Sequence, residues 1–123
     1  MKESTLKVLD NEDREFAEIL RSLGMNRKTA ILITYLASVG ESTSREIELG
    51  AGLRQPEASI AMRDLRDKNW VSEREVRTGC KGRPSLVYTL TKPINVIIKH
   101  IEDGKLREHA EFMENIRKLK DLV

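Results

Sequence analysis

The stretch Thr78-Gly79-Cys80-Lys81-Gly82-Arg83-Pro84-Ser85 decides the fold of this chain, because it is a short basic turn between two runs with the character of β-strands. Its two glycines permit positive φ, and Pro84 removes a backbone donor and fixes φ, so strand pairing should stop there. Residues 74–83 hold four basic side chains and one acidic one. A basic hairpin tip is therefore expected, which suits either contact with a nucleic-acid backbone or simple solvation.

The runs on either side of the turn favour pleated strands with one buried face. Residues 70–77 begin apolar and then alternate charged with uncharged side chains, while residues 85–91 carry Leu86, Tyr88 and Leu90 at every second position. A period of two is typical of half-buried strands. Together the two runs predict a β-hairpin.

Four helices are predicted ahead of the hairpin and one after it. Asn26 is a plausible N-cap for the second helix, and Thr43 with Glu46 matches a capping box at the start of the third. Gln55 is a weak cap for the helix before the hairpin, in which Pro56 suits the first position. The predicted helices, with a further long one after Lys92 and Pro93, cover residues 11–23, 27–39, 44–50, 56–69 and 93–122.

The composition indicates a soluble, mainly helical protein that is neither secreted nor inserted in a membrane. Of 123 residues, 34% are charged and 4% aromatic. No run of 18 apolar residues exists and residues 1–5 lack an apolar signal core, so a cytoplasmic location is expected. One cysteine and two histidines, His100 and His109, offer no zinc set. No catalytic constellation is visible either, so we expect no enzyme activity, cofactor or metal.

The charge is unevenly distributed along the chain. Residues 1–24 carry a net −2, residues 25–92 carry +4, and residues 93–123 are neutral. A basic central segment between acidic or neutral flanks is typical of a domain that binds nucleic acid. We therefore divide the chain into an N-terminal arm and helix (1–24), a DNA-binding domain (25–92) and a C-terminal helix (93–123).

The order of elements predicts a mainly α fold with a small β-hairpin wing. Helix, short helix, tight turn, helix and hairpin is the organisation of a winged helix-turn-helix, in which the helix after the turn enters the major groove of DNA. The remaining helices flank this unit at its N- and C-terminal ends.

Several short segments between residues 23 and 90 follow one another in a distinctive order and spacing. They are Ser22-Leu23-Gly24-Met25, Thr29-Ala30-Ile31-Leu32-Ile33-Thr34-Tyr35-Leu36, Thr43-Ser44-Arg45-Glu46-Ile47, Pro56-Glu57-Ala58-Ser59, Leu65, Trp70-Val71, Gly82-Arg83-Pro84 and Val87-Tyr88-Thr89-Leu90. Together they resemble the DNA-binding domain of archaeal and bacterial winged-helix transcriptional regulators of the MarR and TrmB type. The large effector domain that TrmB-like sugar regulators carry after the winged helix has no counterpart in this chain, so sugar sensing is not supported.

The resemblance implies that residues 56–68 form the recognition helix and residues 79–85 the wing tip. Gln can pair with adenine and Arg with guanine in the major groove, while hydroxyls and helix N-termini suit phosphates. The implied base contacts are Gln55, Ser59, Ile60 and Arg63. The implied backbone contacts are Thr43, Ser44, Arg45, Arg54, Arg66 and Lys68. The implied wing contacts are Arg77, Lys81 and Arg83, and Cys80 beside them is either a redox-sensitive thiol or an incidental one.

Three acids on the recognition helix depart from the pattern of a strong DNA binder. Glu57, Asp64 and Asp67 would repel phosphates, so either they pair with the basic residues Arg63, Arg66 and Lys68 or binding is modest. The acids leave open a rival interpretation, a winged helix used as a protein-interaction module. Nonspecific architectural binding of DNA is a third possibility.

The terminal helices carry more apolar residues than a solvated tail needs. A homodimer with two-fold symmetry, formed by the N- and C-terminal helices, would cover them and present two recognition helices to double-stranded DNA. Whether a small effector also binds is left open. The residues expected at the dimer interface are Phe16, Ile19, Ile97, Ile101, Phe112, Ile116 and Leu119.

Overall fold

The computed structural model describes residues 6–77 and 85–123, which divide into two compact units, Met1–Thr91 and Lys92–Val123. The first unit contains four of the helices and a three-stranded antiparallel sheet, and the second contains one long helix. The elements are α1 (Asn11–Ser22), α2 (Arg27–Val39), β1 (Glu41–Thr43), α3 (Ser44–Ala51), α4 (Gln55–Asp67), β2 (Val71–Val76), β3 (Ser85–Leu90) and α5 (Ile94–Leu122).

Side-chain caps begin the first two helices. The Asp13 backbone N–H donates to Asp10 at 2.8 Å, and the Asp10 N–H donates to the Asp13 carboxylate at 3.0 Å. At the start of α2 the Lys28 N–H donates to the Asn26 side chain at 3.0 Å, which confirms the predicted cap. Each cap satisfies a backbone donor that the helix itself leaves unpaired.

The core of the first unit is built around α2. Leu32, Ile33 and Leu36 are completely buried, and α2 packs against α1, α3 and α4. Met62 and Leu65 bury the inner face of α4. Because apolar residues recur every three or four positions in both helices, each presents one continuous stripe to the core.

The predicted capping box at α3 is confirmed. Thr43 accepts a hydrogen bond from the Glu46 N–H at 3.1 Å, and the Glu46 carboxylate accepts one from the Thr43 N–H at 3.0 Å. The helix ends at Gly52, whose φ of 73° lies in the left-handed region that favours glycine. This turn directs the chain from α3 into α4.

A cap prediction at α4 was wrong. Gln55 is the first residue of the helix, and Arg54 occupies the N-cap position without a side-chain cap bond. Instead, the Arg54 N–H donates to the Glu57 carboxylate at 2.9 Å. A long Gln side chain caps poorly, whereas a glutamate three residues into a helix reaches back to the backbone.

The sheet contains one strand more than the predicted hairpin. Its order is β1-β3-β2, and Ser42 of β1 pairs with Tyr88 of β3. β1 spans only three residues, which is too short for a period of two to be visible in the sequence. Val87 is buried as well as Tyr88, so the alternate faces of the central strand are less unequal than its pattern predicted.

The second unit, Lys92–Val123, is a single helix for most of its length. α5 continues through Gly104, where the apolar pattern changes phase. Ion pairs one turn apart line its surface, including Lys99 with Asp103 at 3.2 Å. Most large apolar side chains in its second half are exposed, among them Phe112, Met113, Ile116 and Leu119.

Candidate nucleic-acid interface

The outer face of α4 is the surface on which the predicted base-contacting residues come together. Gln55, Ser59, Ile60 and Arg63 are all exposed, because the opposite side of the helix is buried through Ala58, Ala61, Met62 and Leu65. The middle of the outer face follows spacings of four, three and four through Pro56, Ile60, Arg63 and Asp67. Ser59 lies on one shoulder of this stripe.

The acids on α4 are largely neutralised within the fold. Glu57 forms an ion pair with Lys28 of α2 at 2.8 Å, and Asp64 forms one with Lys68 at 3.0 Å. The sequence left open whether these acids pair with nearby basic residues or weaken DNA binding. Asp64 does pair with one of them, Lys68. Asp67 forms no ion pair within residues 6–77 and 85–123, but it is the last residue of α4. The first two turns of the outer face therefore carry no unpaired acid.

Glu57 is held ionised by its two partners. The Lys28 ammonium and the Arg54 backbone N–H both donate to its carboxylate, and they lower the pKa of Glu57 below its usual value. Hydrogen bonds to a carboxylate favour its charged form. Because Lys28 lies in the first turn of α2, this pair also places the first turn of α2 beside the first turn of α4.

Sequence reasoning missed Arg27 and Lys28 as part of this surface. Both lie in the first turn of α2, where the helix dipole disfavours cations, and no acid accompanies them there. Arg27 is exposed and forms no ion pair in the described part of the chain. The sequence did contain a sign of their role, since two cations at a predicted helix start oppose the helix dipole. It could not show that they lie near α4, because Lys28 and Glu57 are 29 positions apart.

The three residues predicted to contact phosphates at α3 differ in how available their side chains are. The Thr43 hydroxyl accepts from Glu46 as part of the cap, and Ser44 is half-buried. Arg45 is exposed and forms no ion pair within the described ranges. Of these three residues, Arg45 is thus the one best able to reach a phosphate.

Two of the other predicted backbone contacts already have intramolecular partners. Arg66 pairs with Glu73 of β2, and Lys68 pairs with Asp64 while its ammonium lies 5.8 Å from the centre of the Trp70 ring. Arg54 is exposed at the start of α4. Arg66 and Lys68 would have to give up these contacts in order to bind phosphate.

The predicted wing tip lies mostly outside the described residues. Lys81 and Arg83, together with Cys80, belong to residues 78–84. Arg77 is described, and it is exposed just after β2. On β2 itself, Arg74 forms an ion pair with Glu41 of β1, so it fastens two strands of the sheet.

Residues 6–77 and 85–123 contain no metal centre. No cluster of three or more His, Cys, Asp or Glu side chains could hold an ion there. In the same ranges, no helix has the length and apolarity needed to cross a membrane.

The order of helices and the antiparallel sheet define a winged helix-turn-helix, as the sequence predicted. The chain is similar to the crystal structure of NadR in complex with 4-hydroxyphenylacetate, with a TM-score of 0.53 and 19% sequence identity over 99% of this chain and 94% of that one. NadR is a winged-helix regulator of the MarR family. No protein-family model and no curated protein match the sequence.

Proposed function

We propose that this protein is a sequence-specific transcriptional regulator that binds double-stranded DNA in the cytoplasm as a homodimer. The observation that carries the proposal is the outer face of α4, where Gln55, Ser59, Ile60 and Arg63 are exposed while Glu57 and Asp64 are paired. In a helix-turn-helix this face enters the major groove. The side chains on it include donors and acceptors that suit base edges.

Phosphate contacts would come from cations around α4. We assign this role first to Arg45, Arg54 and Arg27, which are exposed, and then to the remaining predicted contacts Thr43, Ser44, Arg66 and Lys68. The wing residues Arg77, Lys81 and Arg83 would grip the backbone or the minor groove, whose negative potential attracts arginine. Phosphate contacts position the protein, and base contacts specify the site.

Dimerisation would proceed through the terminal helices. Phe112, Ile116 and Leu119 recur at spacings of four and three on α5 and are exposed. On α1, Ile19 is exposed and Phe16 half-buried. The predicted interface also includes Ile97 and Ile101, but Ile97 is only 1% exposed within the chain and is not available to a partner. Ile101 is half-buried and stays in the proposed interface. A dimer would present two α4 helices to half-sites about 34 to 36 Å apart.

The test is a pair of binding experiments with duplex DNA. Selection from random duplexes should recover an inverted repeat, and affinity for it should fall steeply with salt because counterions are released. Arg63→Ala should cost about 1–3 kcal/mol of binding free energy and relax the preference at one position. Arg107→Ala, at an exposed arginine of α5, is the matched control and should bind normally.

The rival functions predict different outcomes of the same experiments. A protein-interaction module would not bind duplex DNA near physiological salt, and an architectural protein would show the salt dependence without site preference. Arg83→Ala should weaken binding to all sequences evenly and reduce the salt dependence, because it would remove a phosphate contact. If neither arginine variant changes the affinity for DNA at fixed salt, α4 and the wing do not form the DNA-binding surface.

A further inference from the structure

Ile60 is an apolar residue in the middle of the proposed reading surface. It is 68% exposed, more than any other large apolar side chain described in the unit Met1–Thr91. A single exposed aliphatic side chain is ordinary on a protein surface. The position of Ile60 is unusual, because it lies on the outer face of α4 between the helix start and Arg63.

The neighbours of Ile60 give this point of α4 a mixed character. Pro56 lies one turn before it and Arg63 one turn after it, and both are exposed. The nearest acids, Glu57 and Asp64, are paired with Lys28 and Lys68. Within residues 6–77 and 85–123, this apolar side chain therefore adjoins a guanidinium that forms no ion pair, and no unpaired carboxylate of α4 lies between them.

Only one group in the major groove suits an apolar side chain. Thymine presents its C5-methyl group there, whereas the other bases present hydrogen-bond donors and acceptors. Isoleucine can satisfy none of those polar groups, so packing it against them would remove their water without compensation. Its β-branched side chain is also stiff, which reduces the entropy lost when it is fixed against a base.

We propose that Ile60 reads the methyl group of a thymine in each half-site. This assignment rests on the proposed function and names one base of the operator. Ile60 and Arg63 are three positions apart, a helical rise of about 4.5 Å, while successive base pairs are about 3.4 Å apart. The thymine therefore lies one or two base pairs from the position that Arg63 reads.

The experiment replaces thymine with deoxyuridine at each position of the selected site, which removes the methyl group and leaves the pairing intact. At one thymine per half-site, the change should weaken binding of the wild-type protein about fourfold, the value of one buried methylene-sized group. For Ile60→Ala the same change should have almost no effect. This comparison is a double-mutant cycle between a side chain and a methyl group.

Leu49→Ala is the matched control, because Leu49 is an exposed aliphatic residue of α3 in the same unit. It should keep the full sensitivity to deoxyuridine, and circular dichroism should show that both variants are folded. The proposal is overturned if no thymine in the selected site is sensitive, or if Ile60→Ala keeps the wild-type sensitivity. Absence of duplex binding by the wild-type protein would instead overturn the proposed function itself, and this assignment with it.

Discussion

Gly50 lies where a short N-terminal segment crosses the helix-turn-helix. The Leu9 N–H donates to the Gly50 carbonyl at 3.2 Å, and the Tyr35 hydroxyl donates to the Lys7 carbonyl at 2.9 Å. A Cβ added to Gly50 would lie 2.1 Å from the Lys7 oxygen and 2.5 Å from the Tyr35 hydroxyl. The absence of a side chain thus lets residues 7–9 approach α3 closely.

We expect Gly50→Ala to lower the free energy of unfolding by about 1–3 kcal/mol, the usual cost of an overpacked site. The backbone atom at 2.1 Å cannot simply rotate away. Urea denaturation measures the effect. Gly104→Ala is the control, because its Cβ would meet nothing closer than Arg107 at 3.8 Å and should stabilise α5 by about 0.5–1 kcal/mol. Equal stability of Gly50→Ala and wild type would contradict this account.

Glu57 should make the stability depend on pH. Its pKa is lowered in the folded state by Lys28 and by the Arg54 N–H, so its contribution is present above the pKa of the unfolded chain. It is lost as the pH falls through the lowered value. Glu57→Gln should therefore be less stable than the wild type at neutral pH, and the difference should shrink in acid.

Unfolding at a series of pH values tests this expectation. Glu48→Gln changes an exposed carboxylate of α3 that forms no ion pair in the described residues, and it is the matched control. A difference between Glu57→Gln and wild type that stays constant from neutral to acid pH would exclude the ion pair with Lys28 as its cause.

At the scale of elements, α3 depends on its capping box. Replacing Thr43 with alanine removes the acceptor for the Glu46 N–H, and caps of this kind are worth about 0.5–2 kcal/mol. We expect Thr43→Ala to lower the free energy of unfolding by an amount in that range, measured by denaturation. Ser44→Ala, one residue further on, should change it by less than about 0.5 kcal/mol. A neutral Thr43→Ala would mean that water replaces the cap.

Helices were predicted more accurately than the sheet, for a physical reason. Capping, apolar periodicity and breaking glycines act within four residues, so the bounds of α2 follow from the sequence without error and those of α1, α3 and α4 within two residues. β1 was missed because its partner Val87 lies 44 positions from Thr43. A strand of three residues is too short to show an alternation of apolar and polar side chains, so the sequence could not predict this pairing.

At the scale of the whole molecule, the unit Lys92–Val123 bears on the proposed dimer. If α5 forms the interface through its exposed seam, Phe112→Glu combined with Leu119→Glu should convert dimer to monomer, because burying carboxylates without partners is costly. Sedimentation equilibrium measures the change. Affinity for a full inverted repeat should fall toward that for a single half-site.

Ala110→Glu is the control for this variant. It introduces the same carboxylate at an exposed small residue of α5 on the side away from Phe112. The control should remain dimeric. Should the double variant also remain dimeric, the seam of α5 is not the interface, and α1 becomes the remaining candidate.

The candidate site was predicted in part. Which side chains share the outer face of α4 follows from helical spacing alone, so Ser59, Ile60 and Arg63 could be named from the sequence. The partner of Glu57 could not, because Lys28 comes from another helix, and the neighbouring Arg27 was overlooked with it. The electrostatic character of the reading face depends on that partner.

The sequence by itself determined the order of the helices, the position of the turn between α3 and α4, and the pairing of β2 with β3, since these depend on local patterns of apolarity and backbone freedom. Only the tertiary structure decided that Glu57 is paired with Lys28, that β1 joins the sheet, and that Gly50 accommodates the Lys7 carbonyl. Each of these contacts joins residues at least 29 positions apart. Such contacts form only once the core around α2 has brought distant segments together, and no local pattern encodes them.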